Sequence, residues 1–328
     1  METKEVYVGL DLHRETVHGT AMDKDGNVIC SHRFPNTKEA LKEFYKTFEV
    51  WNTQTAIEAC GMWRGCYNIL HELGFNAKLA NPYKCQKINP EKKTDKTDSK
   101  LLADLLRTKY LPEVFIPSRE ILELRDLSRH RSDIVDERVR IQNKIKHYLI
   151  REGIAYKSIW NKGGIAWLKS LDKNQLNDLI EIYEKLCEKE KSVRNEIAKK
   201  AINKKETSLL MTIPGIGIVG AMMIYSEIGD INRFPTDKHL HAYAGVAPGI
   251  YQSGDTSIDI PRKSVNRWLK WIVTECAGIS IRKPNQFQRC YFAIEKKKGW
   301  KIARKVVARR LLTVVWHMLK ENVPYKES

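Results

Sequence analysis

Residues 5–34 read EVYVGLDLHRETVHGTAMDKDGNVICSHRF, and this stretch predicts three β-strands. The first strand is apolar and ends at Asp11, whereas the two that follow alternate apolar and polar residues. These two are joined across DKDGN, in which Asp25 and Gly26 are a strong signal for a β-hairpin. We therefore expect the chain to open with a meander of three strands.

Helices and strands alternate after this meander. Residues 36–48 (NTKEALKEFYKTF) and 61–74 (GMWRGCYNILHELG) predict helices, while 53–60 (TQTAIEAC) and 76–82 (NAKLANP) predict strands. Strands separated by helices are typical of parallel pairs in one sheet. The sequence thus predicts an α/β layer fold in which three meandering strands precede two parallel ones.

A long helical region follows. From Ser118 to Gly153 apolar residues recur close to a heptad spacing, which Arg131 and Arg138 interrupt. A second helical run covers Leu171 to Lys205. Together they predict a helical hairpin or coiled-coil arm. It is either a packed connector between two domains or an arm for dimerisation or for holding RNA.

The character of the sequence changes again near Thr207, so we expect three parts: residues 1–117, 118–206 and 207–328. In the last part, TIPGIGIVGA (212–221) is typical of a helix-hairpin-helix turn that meets a DNA phosphate, or of a simple packing corner between two helices. A glycine-rich loop containing serine and a basic, mainly α-helical segment complete the chain.

Composition narrows the class of protein. Of the 328 residues, 42% are hydrophobic and 30% are charged, which is typical of a soluble globular protein. The seven cysteines include no CxxC pair, which disfavours a disulfide framework or a zinc knuckle. Neither a signal peptide nor a membrane-spanning run is evident. We expect a cytoplasmic protein.

Positive charge is concentrated at the C-terminus. The chain carries a net charge of +17, and residues 260–328 hold 17 Lys and Arg against 4 Asp and Glu. Such a segment favours a nucleic-acid partner over a solubility face or a membrane surface, because aromatic residues are interleaved with the charges. The candidate phosphate contacts are Lys263, Arg267, Lys270, Lys301, Arg304, Lys305, Arg309 and Arg310.

Four acidic residues suggest a metal site. Asp11 and Glu58 each end a predicted strand, at the edge where open α/β sheets bind ligands. Asp95 and Asp98 are three residues apart, so on a helix they share one face. Such oxygen ligands suit two Mg²⁺ ions for in-line phosphoryl transfer. The structural alternative is a helix N-cap at Thr94 or Asp95, but capping accounts for only one aspartate.

Four motifs occur together in this chain. They are YVGLDLH with Asp11, AIEACG with Glu58, KTDKTDSKLLADLL with Asp95 and Asp98, and IPGIG followed by AYAGVAPGIYQSG. In this order they resemble the DEDD-type insertion-sequence transposases, the one-ten insertion-sequence family, described as bridge-RNA-guided recombinases. The resemblance extends from about residue 5 to residue 320, and it implies a bacterial or archaeal protein that acts at the nucleoid.

The resemblance implies a RuvC-like (RNase H fold) N-terminal domain, a coiled-coil segment and a C-terminal transposase domain. It also implies cutting and rejoining of donor and target DNA by an acidic tetrad that binds Mg²⁺ or Mn²⁺, in a homo-oligomer (dimer or tetramer) guided by a structured RNA. By motif match the tetrad is Asp11, Glu58, Asp95 and Asp98. The nucleophile that would form a phosphoserine link to DNA is Ser253.

The residues themselves support Ser253 less directly. A serine followed by glycine in a loop ahead of a basic segment can approach a phosphodiester, but it needs a metal or base for activation. Ser257 and Ser264 are close enough to compete for this role, and turn serines are commonly structural.

Other functions remain open at this point. A Holliday-junction resolvase of the same fold would use metal-activated water and would not need Ser253. An actin-like ATPase or sugar kinase is suggested by GLDLH, but His13 and Arg14 stand where that phosphate loop continues with glycine and threonine. A third alternative is a non-catalytic RNA or DNA binder with a decayed active site. Such a protein would have lost acidic residues of the tetrad, and all four are present here.

Overall fold

The computed structural model describes residues 5–88, 94–247, 250–253, 256–259 and 265–327. The chain divides into two compact units, Met1–Ile116 and Pro117–Ser328. Within the described residues, no helix has both the length and the apolar character needed to cross a bilayer. The predicted division into three parts stays a prediction.

Unit 1 is built around one mixed sheet. Its strands are β1 (Val6–Leu12), β2 (Thr16–Met22), β3 (Val28–Pro35), β4 (Thr53–Glu58), β5 (Asn76–Ala80) and β6 (Glu113–Val114), in the spatial order β3-β2-β1-β4-β5-β6. The pairs β1 with β2 and β2 with β3 are antiparallel, whereas β1 with β4 and β4 with β5 are parallel. The predicted meander followed by two parallel strands is thus confirmed, and an antiparallel edge strand, β6, is added.

Helices cover both faces of this sheet. They are α1 (Lys38–Tyr45), α2 (Trp63–Glu72), α3 (Pro82–Ile88) and α4 (Asp95–Arg107), with a short 3-10 turn at Val50–Asn52. The β1 side chains Val8 and Leu10 form one core with residues of α1 and α2. On the opposite face, Tyr7 forms a second core with α4. Burial on both faces explains why β1 is almost continuously apolar.

Unit 2 is mainly helical. Its elements are α5 (Arg119–Arg151), α6 (Lys162–Ser170), α7 (Asn174–Ile202), α8 (Lys205–Met211), α9 (Ile218–Ile228), α10 (Asp237–Ala244), β7 (Ile250–Ser253), β8 (Thr256–Asp259), α11 (Arg267–Ser280), α12 (Gln286–Lys298) and α13 (Trp300–Glu321), with a 3-10 turn at Ile231–Arg233. The hairpin β7-β8 interrupts an otherwise helical segment. A mixed α/β N-terminal part and a helical C-terminal part agree with the predicted fold class.

Helices α5 and α7 form an antiparallel pair. Leu124 near the start of α5 shares a core with Ile197 near the end of α7, while Ile145 packs with Ile180. Arg131 and Arg138, which interrupt the apolar spacing of α5, both pair with the carboxylate of Glu190 on α7. The interruptions are therefore one ion-paired layer between two apolar ones. The packed connector and the arm for dimerisation or for holding RNA both stay predictions.

A second buried carboxylate lies in the interior of unit 2. Glu227 of α9 is fully buried, and Arg129 of α5 donates to its two oxygens at 2.7 and 2.8 Å. The amide of Asn266 donates to the same carboxylate at 2.7 Å. A charge buried this deeply is tolerated only because it is paired and hydrogen-bonded.

Candidate metal centre

Asp11 and Glu58 lie at the same edge of the sheet. In the parallel pairing of β1 with β4, Leu10 is in register with Ile57, so each acid is the next residue along its strand. The carboxyl ends of neighbouring parallel strands meet at one edge, which is where such sheets bind ligands. The predicted position of both acids at strand ends is confirmed, with β1 extending one residue beyond Asp11 to Leu12.

Helix α4 lies directly against β1 at this edge. Gly9 faces the helix, and a Cβ added there would stand 2.0 Å from the carbonyl oxygen of Ser99 and 2.5 Å from the amide nitrogen of Ala103. Side chains alternate along a strand, so Gly9 and Asp11 share the face that α4 covers. The missing side chain at Gly9 thus brings the first turn of α4 toward Asp11.

Hydrogen bonds also hold α4 on the sheet. The buried Ser99 hydroxyl lies 2.8 Å from that of Thr20 on β2. Thr20 lies 3.0 Å from the Ser31 hydroxyl, which is 3.0 Å from Nε2 of His18. Burial lowers the pKa of His18, and the charge of Asp95 acts in the opposite direction. This chain of polar side chains fixes how α4 is placed relative to the strand end.

Of the two predicted candidates, Thr94 is the N-cap of α4. The Thr94 hydroxyl accepts a hydrogen bond from the amide of Thr97 at 3.2 Å. Asp95 is therefore the first residue of the helix and not its cap. Asp95 and Asp98 both lie in the first helical turn, where carboxylates interact favourably with the helix dipole. Their side chains are available to a site beside β1.

His13 links two of the acids. Its Nε2 lies 3.3 Å from Oδ2 of Asp11 and 3.2 Å from Oδ1 of Asp95. The ligand atoms of these three residues all lie within 4.8 Å of one another, a separation that suits one metal ion. His13 was not among the predicted site residues. The available signal was its position two residues after Asp11, near the end of the same strand.

Burial and neighbouring acids disfavour the charged form of the Asp11 carboxyl group. The residue is buried, and burial raises the pKa of its carboxyl group. The neighbouring His13 lowers that pKa, while the charges of Asp98 and Asp95 raise it further. Carboxylates gathered so closely repel one another, and a divalent cation relieves this repulsion.

Glu58 and Asp98 form the other side of the group. Both line one small cavity, together with Pro82, Cys85 and Gln86. Burial raises the pKa of the Cys85 thiol to about 11, and the nearby charge of Glu58 adds to this effect. The four predicted acids, which are spread over some ninety residues of the chain, are thus gathered around one end of β1 and β4. Their roles as ligands stay predictions.

Ser253 is the last residue of β7 and is in register with Thr256 across the hairpin. Of the two competing serines, Ser257 belongs to β8, and Ser264 lies outside the described residues. The hairpin immediately precedes the basic helices.

The predicted phosphate-contact residues differ in exposure and in whether their side chains donate hydrogen bonds to the protein backbone. Lys263 lies outside the described residues. Arg304 donates to the carbonyl oxygen of Thr274 at 3.0 Å, and Arg309 donates to that of Val246 at 3.3 Å. The exposed members of the set are Arg267, Lys270, Lys301, Lys305 and Arg310. Exposed aromatic side chains, among them Trp271, accompany them on α11 and α13.

Two family models match the chain, and together they span more than half of it. Residues 8–152 match a transposase model of the DEDD class named for IS110. Residues 207–292 match the model described as transposase, IS116/IS110/IS902 family. The first match includes all four acids, and the second includes Ser253.

Curated relatives are similar over most of their length. The transposase for insertion sequence element IS1328 of Yersinia enterocolitica is 23% identical, over 84% of this chain and 84% of the relative. The transposase for insertion sequence element IS1533 of Leptospira borgpetersenii is 25% identical, over 84% of this chain and 85% of the relative. The pilin gene-inverting protein of Moraxella lacunata is 25% identical over 97% of both chains.

Proposed function

Because this chain belongs to the IS116/IS110/IS902 family of transposases, we propose that it cuts and rejoins DNA strands by metal-dependent phosphoryl transfer to and from a serine. The observation that carries the proposal is the convergence of Asp11, Asp95 and His13 at 3.2 to 3.3 Å, with Asp98 and Glu58 beside them. The order of strands β3-β2-β1-β4-β5, with acids at the ends of β1 and β4, supports a RuvC-like, RNase H-type domain.

The donor set fits a hard divalent cation. Carboxylate oxygens are the ligands that Mg²⁺ and Mn²⁺ prefer, and four such groups supply enough negative charge for two ions. When bound, these ions polarise a phosphodiester and stabilise the attacking and leaving oxygens. We assign Asp11, Glu58, Asp95 and Asp98 as the residues that hold Mg²⁺ or Mn²⁺. Asp11 and Glu58 are fixed by the sheet, and Thr94 and Ser99 fix the helix that carries the other two.

Ser253 is assigned as the nucleophile. Its hydroxyl loses a proton as Oγ forms a bond to phosphorus, while the bond from phosphorus to the deoxyribose oxygen breaks and that oxygen takes up a proton. A DNA hydroxyl then attacks the phosphoserine, loses its proton, and restores both the phosphodiester and the free serine. The similarity to a pilin gene-inverting protein supports rejoining, because inversion of a DNA segment requires strands to be joined again after cleavage. A hydrolytic resolvase would lack this second step.

Exposed basic side chains of unit 2 are proposed to bind the DNA and a structured guide RNA. Arg267, Lys270 and Trp271 are exposed on one face of α11, a combination of cations and an aromatic ring that suits a nucleic-acid strand. Replacing Lys270 with alanine should weaken binding to all DNA sequences alike. The number of counterions released on binding, read from the slope of log affinity against log salt concentration, should fall by about one. Arg304→Ala should also destabilise the protein, because it loses the bond to Thr274.

The proposed reaction is tested by looking for a covalent adduct. Purified protein is incubated with Mg²⁺, candidate RNA and labelled donor and target DNA, and denaturing gels are searched for protein-linked strands. We expect the adduct with wild type and with Ser257→Ala, the matched control from the facing strand. Neither Ser253→Ala nor Asp11→Asn should form it. Cleavage that persists in Ser253→Ala would instead indicate a resolvase that uses metal-activated water.

A further inference from the structure

We propose that His13 is a nitrogen ligand of the ion held by Asp11 and Asp95, so that the centre prefers Mn²⁺ to Mg²⁺. The proposal rests on the function proposed above for the acids, and it adds a fifth residue and a metal preference to that site. It concerns the side of the centre formed by β1 and the first turn of α4.

The separations match those of neighbouring ligands on one ion. In an octahedral site with bonds of about 2.1 Å, adjacent ligand atoms lie about 3.0 Å apart. The Nε2 atom of His13 is 3.3 Å from the Asp11 oxygen and 3.2 Å from the Asp95 oxygen. All three atoms lie within 4.8 Å of one another, so a single ion can contact each of them after small side-chain rotations.

The backbone around His13 is held in place. Its amide donates to the carbonyl oxygen of Thr16 at 2.8 Å, which closes the turn between β1 and β2. The side chain of Asn36 donates to the carbonyl oxygen of His13 at 2.9 Å. These bonds fix the backbone on both sides of the ring, while about half of the side chain stays exposed to solvent. The imidazole is therefore positioned beside the acids and accessible to an incoming ion.

His18 provides a contrast within the same site. It is the residue in register with Asp11 across β1 and β2, so it lies directly opposite Asp11 on the neighbouring strand. Its Nε2, however, lies 3.0 Å from the hydroxyl of Ser31, and it is not part of the group of ligand atoms. Proximity to Asp11 is thus shared by two histidines, but only His13 presents a nitrogen to two carboxylates.

A nitrogen ligand changes which ion is favoured. Mg²⁺ strongly prefers oxygen ligands and releases its water reluctantly, whereas imidazole is a better ligand for transition metals. A site made of Asp11 and Asp95 alone should not discriminate strongly between Mg²⁺ and Mn²⁺. With His13 as an additional ligand, the binding affinity should increase more for Mn²⁺ than for Mg²⁺.

The test uses the full-length protein with Mn²⁺ alone. Electron spin-echo envelope modulation detects a ¹⁴N nucleus bonded to Mn²⁺, and we expect this signal in the wild type and in His18→Gln. His13→Gln should still bind Mn²⁺ but lose the ¹⁴N signal, and its preference for Mn²⁺ over Mg²⁺ should fall about tenfold. Melting curves of both variants without metal verify that they are folded.

Three results would overturn the proposal in distinguishable ways. If Asp11→Asn weakens Mn²⁺ binding but the wild type shows no ¹⁴N signal, His13 is not a ligand and the acidic site is retained. If Mn²⁺ binds equally well to the wild type and to Asp11→Asn, the acidic residues do not form the metal site and His13 has no role as a ligand. Retention of the ¹⁴N signal in His13→Gln also refutes the assignment.

Discussion

Gly9→Ala tests whether the close approach of α4 to β1 builds the metal centre. A methyl group at this position would lie 2.0 Å from the Ser99 carbonyl oxygen, 2.5 Å from the Ala103 amide nitrogen and 2.9 Å from the Leu102 Cβ. Two of these atoms belong to the helix backbone and cannot rotate away. The substitution therefore requires a displacement of the helix relative to the strand.

The size of this displacement follows from the contact distances. Non-bonded carbon and oxygen atoms need roughly 3.4 Å, so relief of the contact with Ser99 requires a movement of about 1.4 Å. Overpacking of this kind costs about 1–3 kcal/mol, and we expect the upper end because the contact is with backbone. The same movement carries Asp95 and Asp98 away from Asp11. We therefore expect weaker metal binding even in the fraction of protein that folds.

Gly65→Ala is the matched control. Gly65 lies in α2 of the same unit, and an added Cβ there has no neighbour within 4 Å. Alanine in a helix is favoured over glycine by roughly 0.5–1 kcal/mol, so this variant should be slightly more stable. Urea denaturation gives the stability of each variant, and Mn²⁺ titration gives the metal affinity. If Gly9→Ala matches the wild type in both measurements, the approach of α4 does not position the acids.

Three further predictions concern single interactions. Thr94→Ala removes the N-cap of α4 and should cost about 1 kcal/mol in urea denaturation while also weakening Mn²⁺ binding; an unchanged metal affinity would show that the first turn holds its acids without the cap. Burial raises the pKa of Asp11, so the folded state favours its protonated form, and the stability from this group is present at acid pH and lost as pH rises through the folded pKa. Asp11→Asn should accordingly raise the melting temperature of the metal-free protein at neutral pH but not below the ordinary pKa of aspartate, and an equal effect at both pH values would contradict this cause. Arg129→Leu leaves the buried carboxylate of Glu227 with fewer partners and should cost about 3 kcal/mol, whereas a loss under about 1 kcal/mol would mean that the remaining donors suffice.

Local signals in the sequence were sufficient for much of unit 1. The hairpin between β2 and β3 followed from Asp25 and Gly26, since few residues other than glycine adopt the positive φ of 90° found at Gly26. The strands that end near Asp11 and at Glu58 followed from apolar periodicity and helix signals on either side. These features depend on residues close together in the chain, which a linear reading can compare directly.

Interactions between residues far apart in the sequence were harder to predict from local patterns. Arg131 and Arg138 looked like defects in an apolar seam until the packing of α5 against α7 placed Glu190 between them. Thr94 and Asp95 are both good helix caps by residue type, and only the hydrogen bond from Thr97 decided between them. The position of His13 two residues after Asp11 was a weak signal by itself, because the role of this histidine depends on Asp95 lying 3.2 Å away.

The amino-acid sequence by itself determined the order of strands and helices, the positions of the acids at element ends, and the excess of positive charge after residue 260. The tertiary structure decided which of these residues meet, because a contact between β1 and α4 depends on how closely two backbones approach. That approach is permitted by the absence of a side chain at Gly9 and fixed by the hydroxyl contact of Ser99 with Thr20. Residue types and local periodicity are properties of the chain, whereas distances between carboxylates more than eighty residues apart arise only when the chain packs.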